Sequence, residues 1–361
     1  MAAFWRRVEL WLYGKAFILL IALGAGTRRR RMSHNNGLAG RGKVRIVTDQ
    51  TFPPTDFFDP GREFPCRIRH ACVPFLDDAM KVARSATLKF ADTDFDSPFD
   101  LQMNTGHHSF FWTARVFVEF AFSRHLRNGV QYRAYYRKYA RGRRASSSAF
   151  RIRPTSYAEL YFHSQTPFAW TAKDGQPRYA KFRLIQIDGG PERNAPTREY
   201  VANCAADPSA AEWLCDQRAL PDETRNVNYL KNEWRDRLKA GPVRYRLQLQ
   251  LHDVSPADAP EVRDCHLEWD EATHPWHELA VVEITEELSH AEACYTGFEI
   301  TNLPPVMGVL PAESIDDFNS INYMRAQSIW AIRVRRFFQR RFGPPKDQGD
   351  DGVRNYSPPG M

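Results

Sequence analysis

The chain has 361 residues and a mass of 41.8 kDa, with 43% hydrophobic and 13% aromatic residues, a globular composition that excludes a disordered or collagen-like polymer. Its formal charge of +7 is concentrated at one end. Residues 1–45 carry ten Lys/Arg against one acidic residue, so the rest is near neutral, which argues against a nucleic-acid-binding body. Six cysteines without CxxC or zinc spacing point to a reduced, cytoplasmic or membrane-associated protein, with one or two disulfides and a secretory route left open.

Residues 1–30 form an apolar and basic segment. Val8–Gly26 is mostly apolar but holds Glu9 and Lys15, and its clean run, Ala16–Gly26, is about half the length of a membrane-spanning helix. Three readings stay open: a signal peptide ending in small residues, a membrane-surface helix using Trp5, Trp11 and Phe17, or a helix packed on the body. Strands are expected at Lys43–Asp49, Cys66–Ala71, Arg84–Ala91 and Asp100–Thr105, with a loop at Phe52–Gly61. An aromatic-rich helix is expected over Ser109–His125, and a solvated basic helix over Arg133–Arg144. Phe168–Lys173 and Tyr179–Ile187 read as a hairpin around Asp174-Gly175. Ser209 and Glu212 have capping-box spacing, Pro221 interrupts, and a second helix runs to about Lys239. Arg244–Asp253 and Glu278–Thr285 alternate as strands, Ser314–Phe342 reads as one long helix, and a flexible tail is expected over 343–361. The pattern predicts an α+β fold with an antiparallel sheet or barrel in one domain.

No Gly-rich phosphate loop, HExxH or GxSxG is present. His107-His108 and the pair His274 and His277 have no Cys or carboxylate pattern to complete a metal set and read as polar loop residues. What remains is a scattered series: Arg31, Ser33 and His34, then Arg69, Arg84, Asn104-Thr105 and Arg325.

In order, this series resembles the catalase superfamily, especially its allene oxide synthase-related branch, from about Arg31 to Arg336. The resemblance is clearest in HNNG at 34–37 with GKV at 42–44, where the histidine precedes one glycine by three residues and another by eight. ARSATLKFAD, FDLQMNTG, RYAKFRLIQIDG, HPWHELAVVEI and SINYMR are similar to later family segments. The resemblance implies a closed antiparallel β-barrel with flanking helices over residues 31–342, with heme inside the barrel. It implies His34 as the distal proton carrier, Asn104 as the distal amide, and Arg31 and Arg69 as partners of the heme propionates. Arg325 matches the arginine that supports an axial tyrosinate four residues later, but that place holds Ile329. Two functions are therefore expected in competition. One is heme-dependent transformation of a hydroperoxide, more in keeping with a fatty-acid-derived substrate than with hydrogen peroxide. The other is a degenerate catalase-like protein, without functional heme, that binds lipid or a partner. Membrane-surface association through the N-terminus fits either.

Overall fold

The computed structural model describes residues 1–31, 33–72, 77–123 and 132–345. Eleven strands appear among them: β1 (Gly37–Ile46), β2 (Glu63–Cys72), β3 (Val82–Lys89), β4 (Asp100–Asn104), β5 (Phe150–Arg151), β6 (Phe162–His163), β7 (Phe168–Thr171), β8 (Pro177–Gln186), β9 (Val243–Asp253), β10 (Trp276–Glu287) and β11 (Met307–Gly308). Eight of them close on themselves in the order β8-β6-β4-β3-β2-β1-β10-β9, and β9 pairs back onto β8. Every pairing is antiparallel. This is the closed antiparallel barrel with flanking helices that the sequence implied. Closure removes the exposed sheet edges that a strand-rich chain would otherwise present.

Side-chain parity decides what each barrel face does. Ile68 on β2, Leu88 on β3, Met103 on β4, Phe182 on β8, Leu247 on β9 and Val282 on β10 point inward and are buried. With Phe58, Phe90, Phe99 and Trp170 they fill the interior. One polar group lies among them, where His70 Nε2 meets Tyr245 Oη at 2.8 Å and Trp234 Nε1 donates to the same oxygen at 2.9 Å. The barrel interior is thus a packed core, and the expectation of heme inside it is corrected. The site lies on the outer face, where the alternate residues Arg69, Gln102 and Asn104 point.

Several local expectations also change. The segment from Ser109 becomes a helix only at Ala114–Phe122, because Thr113 caps it by accepting from Val116 N. The end expected at His125 lies outside the described residues. The basic stretch is two helices, Arg133–Lys138 and Ala140–Ala149, with Tyr135, Tyr136 and Arg143 buried rather than solvated. Arg143 donates to the carbonyls of Tyr136, Cys204 and Ala205. Ser209 makes no cap bond and donates to Asp207, while the reciprocal capping box is formed by Ser289 and Glu292. The expected C-terminal helix breaks into Ser320–Ala326 and Ile329–Phe342. At the break, Ser328 Oγ donates to the Arg325 carbonyl at 2.6 Å. From residue 346 onward the expected tail lies outside the described residues. All six cysteines are free thiols.

Candidate functional site

The loop before β1 carries His34 in the left-handed region, at φ 61°. That conformation is uncommon away from glycine and persists only where its surroundings hold it. Here they do. Arg69 Nη2 donates to the His34 carbonyl at 2.8 Å, the buried Asn36 amide donates to Asp78 Oδ1 at 3.1 Å, and Cys72 N donates to the Asn36 carbonyl at 2.8 Å. Gly37 leaves room for this clamp, since a Cβ there would lie 2.9 Å from Arg69 Nη2 and 2.3 Å from the His70 carbonyl. The glycine that follows the histidine by three is therefore a requirement of close approach.

Held this way, His34 Nε2 faces Asn104 Oδ1 at 3.4 Å, and its Nδ1 lies 2.6 Å from Ser33 Oγ. Asn104 ends β4 and projects outward beside Ser85 and His163, its partners in the sheet. Burial, reinforced by the positive charge of Arg69, pushes the His34 pKa down to about 3, so the ring is neutral at physiological pH. Ser33 stands beside His34 in the series that the sequence singled out, but the sequence assigned it no role. Only geometry shows that its hydroxyl sits on the second ring nitrogen and so helps to set the tautomer.

A cavity of about 560 Å³ opens in front of this pair. Arg31, His34 and Asn104 stand on its wall, opposite Phe110, Phe111, Phe117 and Phe120, and the N-terminal helix closes one side with Phe17 and Ile21. Its size and apolar lining with few polar groups are those of a small-molecule site. Arg69 lies one layer behind, against the His34 backbone. Arg325 is also behind, donating to Gln102 Oε1 at 3.0 Å and Thr166 Oγ1 at 3.1 Å. Arg84, another residue of the scattered series, is elsewhere: it is buried and ties the carbonyls of Asp78, Met80 and Val82.

The arginines form a charge problem that invites an anion. Arg31 donates to the Thr296 carbonyl at 2.5 Å, and its pKa is lowered by burial and by the charges of Arg335 and Arg69. Arg335 is 3% exposed, and its Nε and Nη2 find no acceptor among the described residues. Burial, with repulsion from Arg69 and Arg336, pushes its pKa down to about 9. Among the described residues no carboxylate pairs with Arg31 or Arg335. A buried cation without a counter-ion is costly, so a bound carboxylate or propionate would relieve it. Arg335 was missed in the sequence because it sits in a run of arginines where nothing marks one as buried.

A heme would need propionate partners, distal groups and an axial ligand. Arg31, His34 and Asn104 on the cavity wall are candidates for the first two, while Arg69 stands behind them. The third is not met at the family position. Ile329 begins the last helix, and residues 325–333 contain no Tyr, His or Cys. Tyr323 packs with Leu10 and Phe17 of the N-terminal helix instead. The residues fit the carboxylate end of a heme and its distal side, and do not fit a tyrosinate-bound iron.

No family profile matches the sequence. The chain is 35% identical over 350 residues to an allene oxide synthase-lipoxygenase protein of Plexaura homomalla, covering 96% of this chain and 32% of that protein. It is 28% identical over 302 residues to a linolenate 9R-lipoxygenase of Nostoc, covering 81% of this chain and 37% of that protein. It thus spans about a third of the length of these curated relatives. Among solved structures it resembles a bacterial catalase with a TM-score of 0.65 at 15% identity, over 91% of this chain and 61% of the other. The barrel and the sequence likeness along nearly the whole chain support a place in the catalase-like superfamily, with similarity to the allene oxide synthase-lipoxygenase protein.

Proposed function

We propose that the chain takes an organic, fatty-acid-derived hydroperoxide into the phenylalanine-lined cavity and transforms it there, with heme as cofactor of the active form. The observation that carries this reading is the neutral His34 paired with Asn104 at the polar end of an apolar cavity, beside buried arginines that lack a counter-anion. With Nδ1–H donating to Ser33 Oγ and the Asn104 amide turned so that its NH2 rather than Oδ1 faces the ring, the neutral ring can accept the proton of an –OOH group at Nε2. The Asn104 amide can donate to a peroxide oxygen without titrating. The four phenylalanines hold the hydrocarbon part and keep out water. Heme would supply the redox chemistry, and Arg31 and Arg69 would hold its carboxylates.

Ile329 favours a second reading, in which the same cavity binds a lipid-derived molecule without functional heme. One measurement separates the two. Full-length protein produced with heme supply is examined for a Soret band and for pyridine hemochrome, then assayed on fatty-acid hydroperoxide and on hydrogen peroxide. Heme with preference for the lipid substrate supports the enzyme. A colourless protein that binds fatty acid and turns over neither substrate leaves the second reading standing.

A further inference from the structure

The N-terminal helix, Ala2–Arg28, lies beside the last helix, Ile329–Phe342, and parallel to it. Leu10 and Phe17 share a cluster with Met324, while Arg29 Nη1 donates to the Phe342 carbonyl at 2.5 Å. The contact is tight, since a Cβ on Gly26 would fall 2.8 Å from Val334 Cγ1. A helix packed on a soluble body normally turns polar residues outward. This one does not. Trp5, Leu12, Leu19 and Leu23 are each more than half exposed on its outer side, and Trp330 and Phe337 of the last helix are as exposed. The ends of this surface are basic: Arg6 and Arg7 at one, Arg28, Arg340 and Arg341 at the other. The two helices contain a single acidic residue, Glu9.

The cavity opens at the same surface. Leu20 and Phe122 line it and are nevertheless 59% and 70% exposed, so they form its rim.

We infer that this two-helix face lies in the plane of an anionic phospholipid surface and presents the cavity mouth to the lipid phase. The exposed indole and leucine side chains would sink to the level of the acyl chains, with the arginines at the headgroups. The charge selects the occupant. Two copies facing each other would oppose like-charged arginines, whereas an anionic bilayer complements them. Packing selects the orientation. A spanning helix would have to leave Phe117 and Met324 and strip one wall from the cavity. The docking rests on the surface alone; only the ligand's route of entry depends on the proposed function, so loss of hydroperoxide turnover would not affect the vesicle result.

The test uses full-length protein and vesicles of phosphatidylcholine, with or without roughly a third phosphatidylglycerol. Cosedimentation should be strong with the anionic vesicles, weak without them and reduced by salt. Bromine-labelled acyl chains should quench tryptophan fluorescence. Leu12→Glu/Leu19→Glu/Leu23→Glu, checked for an unchanged circular dichroism spectrum, should weaken binding by at least about tenfold, and Leu12→Glu alone should weaken it measurably. An alkaline carbonate wash should release the protein. Absence of binding, or binding indifferent to these variants, overturns the inference. So does retention after carbonate, which indicates a spanning helix, or a vesicle-independent dimer that the variants dissolve.

Discussion

At the scale of single residues, the proposed chemistry rests on His34 and Asn104 with buried arginines beside them. His34→Ala removes the proton acceptor and should reduce hydroperoxide turnover by at least about a hundredfold, the usual weight of a positioned acid–base group. Unchanged turnover would remove His34 from the mechanism. The low pKa fixes the pH profile. His34 stays neutral until the pH approaches about 3, so, for as long as the protein stays folded, any step that needs the free ring should show no ionisation near pH 6.5. A sharp loss near pH 6.5 would show a solvated histidine. Arg335 makes a different prediction. Arg335→Met removes a buried cation whose charge has no counterpart, so the ligand-free protein should gain about 1–3 kcal/mol by urea unfolding. The same variant should bind hemin or a fatty-acid carboxylate more weakly. Loss of stability in the ligand-free state would mean that Arg335 is satisfied in solution.

At the scale of elements, the break between Ser320–Ala326 and Ile329–Phe342 sets where Ile329 stands relative to Arg325. Ile329→Tyr places a phenol four residues after Arg325, at the start of the second helix. If this is the axial place, the variant should bind hemin at least about tenfold tighter and develop a phenolate charge-transfer band, because a neighbouring guanidinium favours the ionised phenol. A Soret band identical to that of the parent would show that Ile329 does not face the iron. The break itself was not legible in the sequence: an apolar period runs through Ser314–Phe342 without proline or glycine, and only a side-chain bond from Ser328 interrupts it. The strands were easier. Arg244–Asp253 alternates so regularly that its strand and its buried face follow from parity, and the outward position of Asn104 follows from the inward one of Met103. The Ser209–Glu212 spacing marked a helix start, at Ala210–Cys215, but not its cap, because Asp207 takes the Ser209 hydroxyl. The site was legible only as an ordered resemblance. Arg335 and the phenylalanine wall depend on contacts between segments up to some three hundred residues apart, which no local pattern records.

At the scale of the whole molecule, burial of neutral histidines ties the fold to acidity. Besides His34, burial pushes His70 and His266 down to about 3, and His107 and His163 are lowered for the same first reason. In the unfolded chain each would titrate near 6.5. Below that value the unfolded state binds protons that the native state refuses, so stability is intact above about pH 6.5 and falls as the pH drops towards the folded value. Carboxylates do not account for this window. Glu268, lowered to about 2, loses its contribution only below the ordinary carboxylate range, and the buried Asp78 and Asp100, raised by burial, act in the stabilising direction on acidification. Each refused proton costs about 1.4 kcal/mol per pH unit, so three histidines give a slope near 4 kcal/mol per unit, large against a total of about 5–15 kcal/mol. Urea unfolding at a series of pH values from about 7 to about 5 should therefore show a steep decline. His70→Gln keeps a polar group beside Tyr245 Oη while deleting one titrating site, and should reduce that slope by about 1.4 kcal/mol per pH unit even as it lowers stability at neutral pH. A parent protein equally stable at both ends of the range would mean that water reaches these rings, and with them the His34 wall of the cavity.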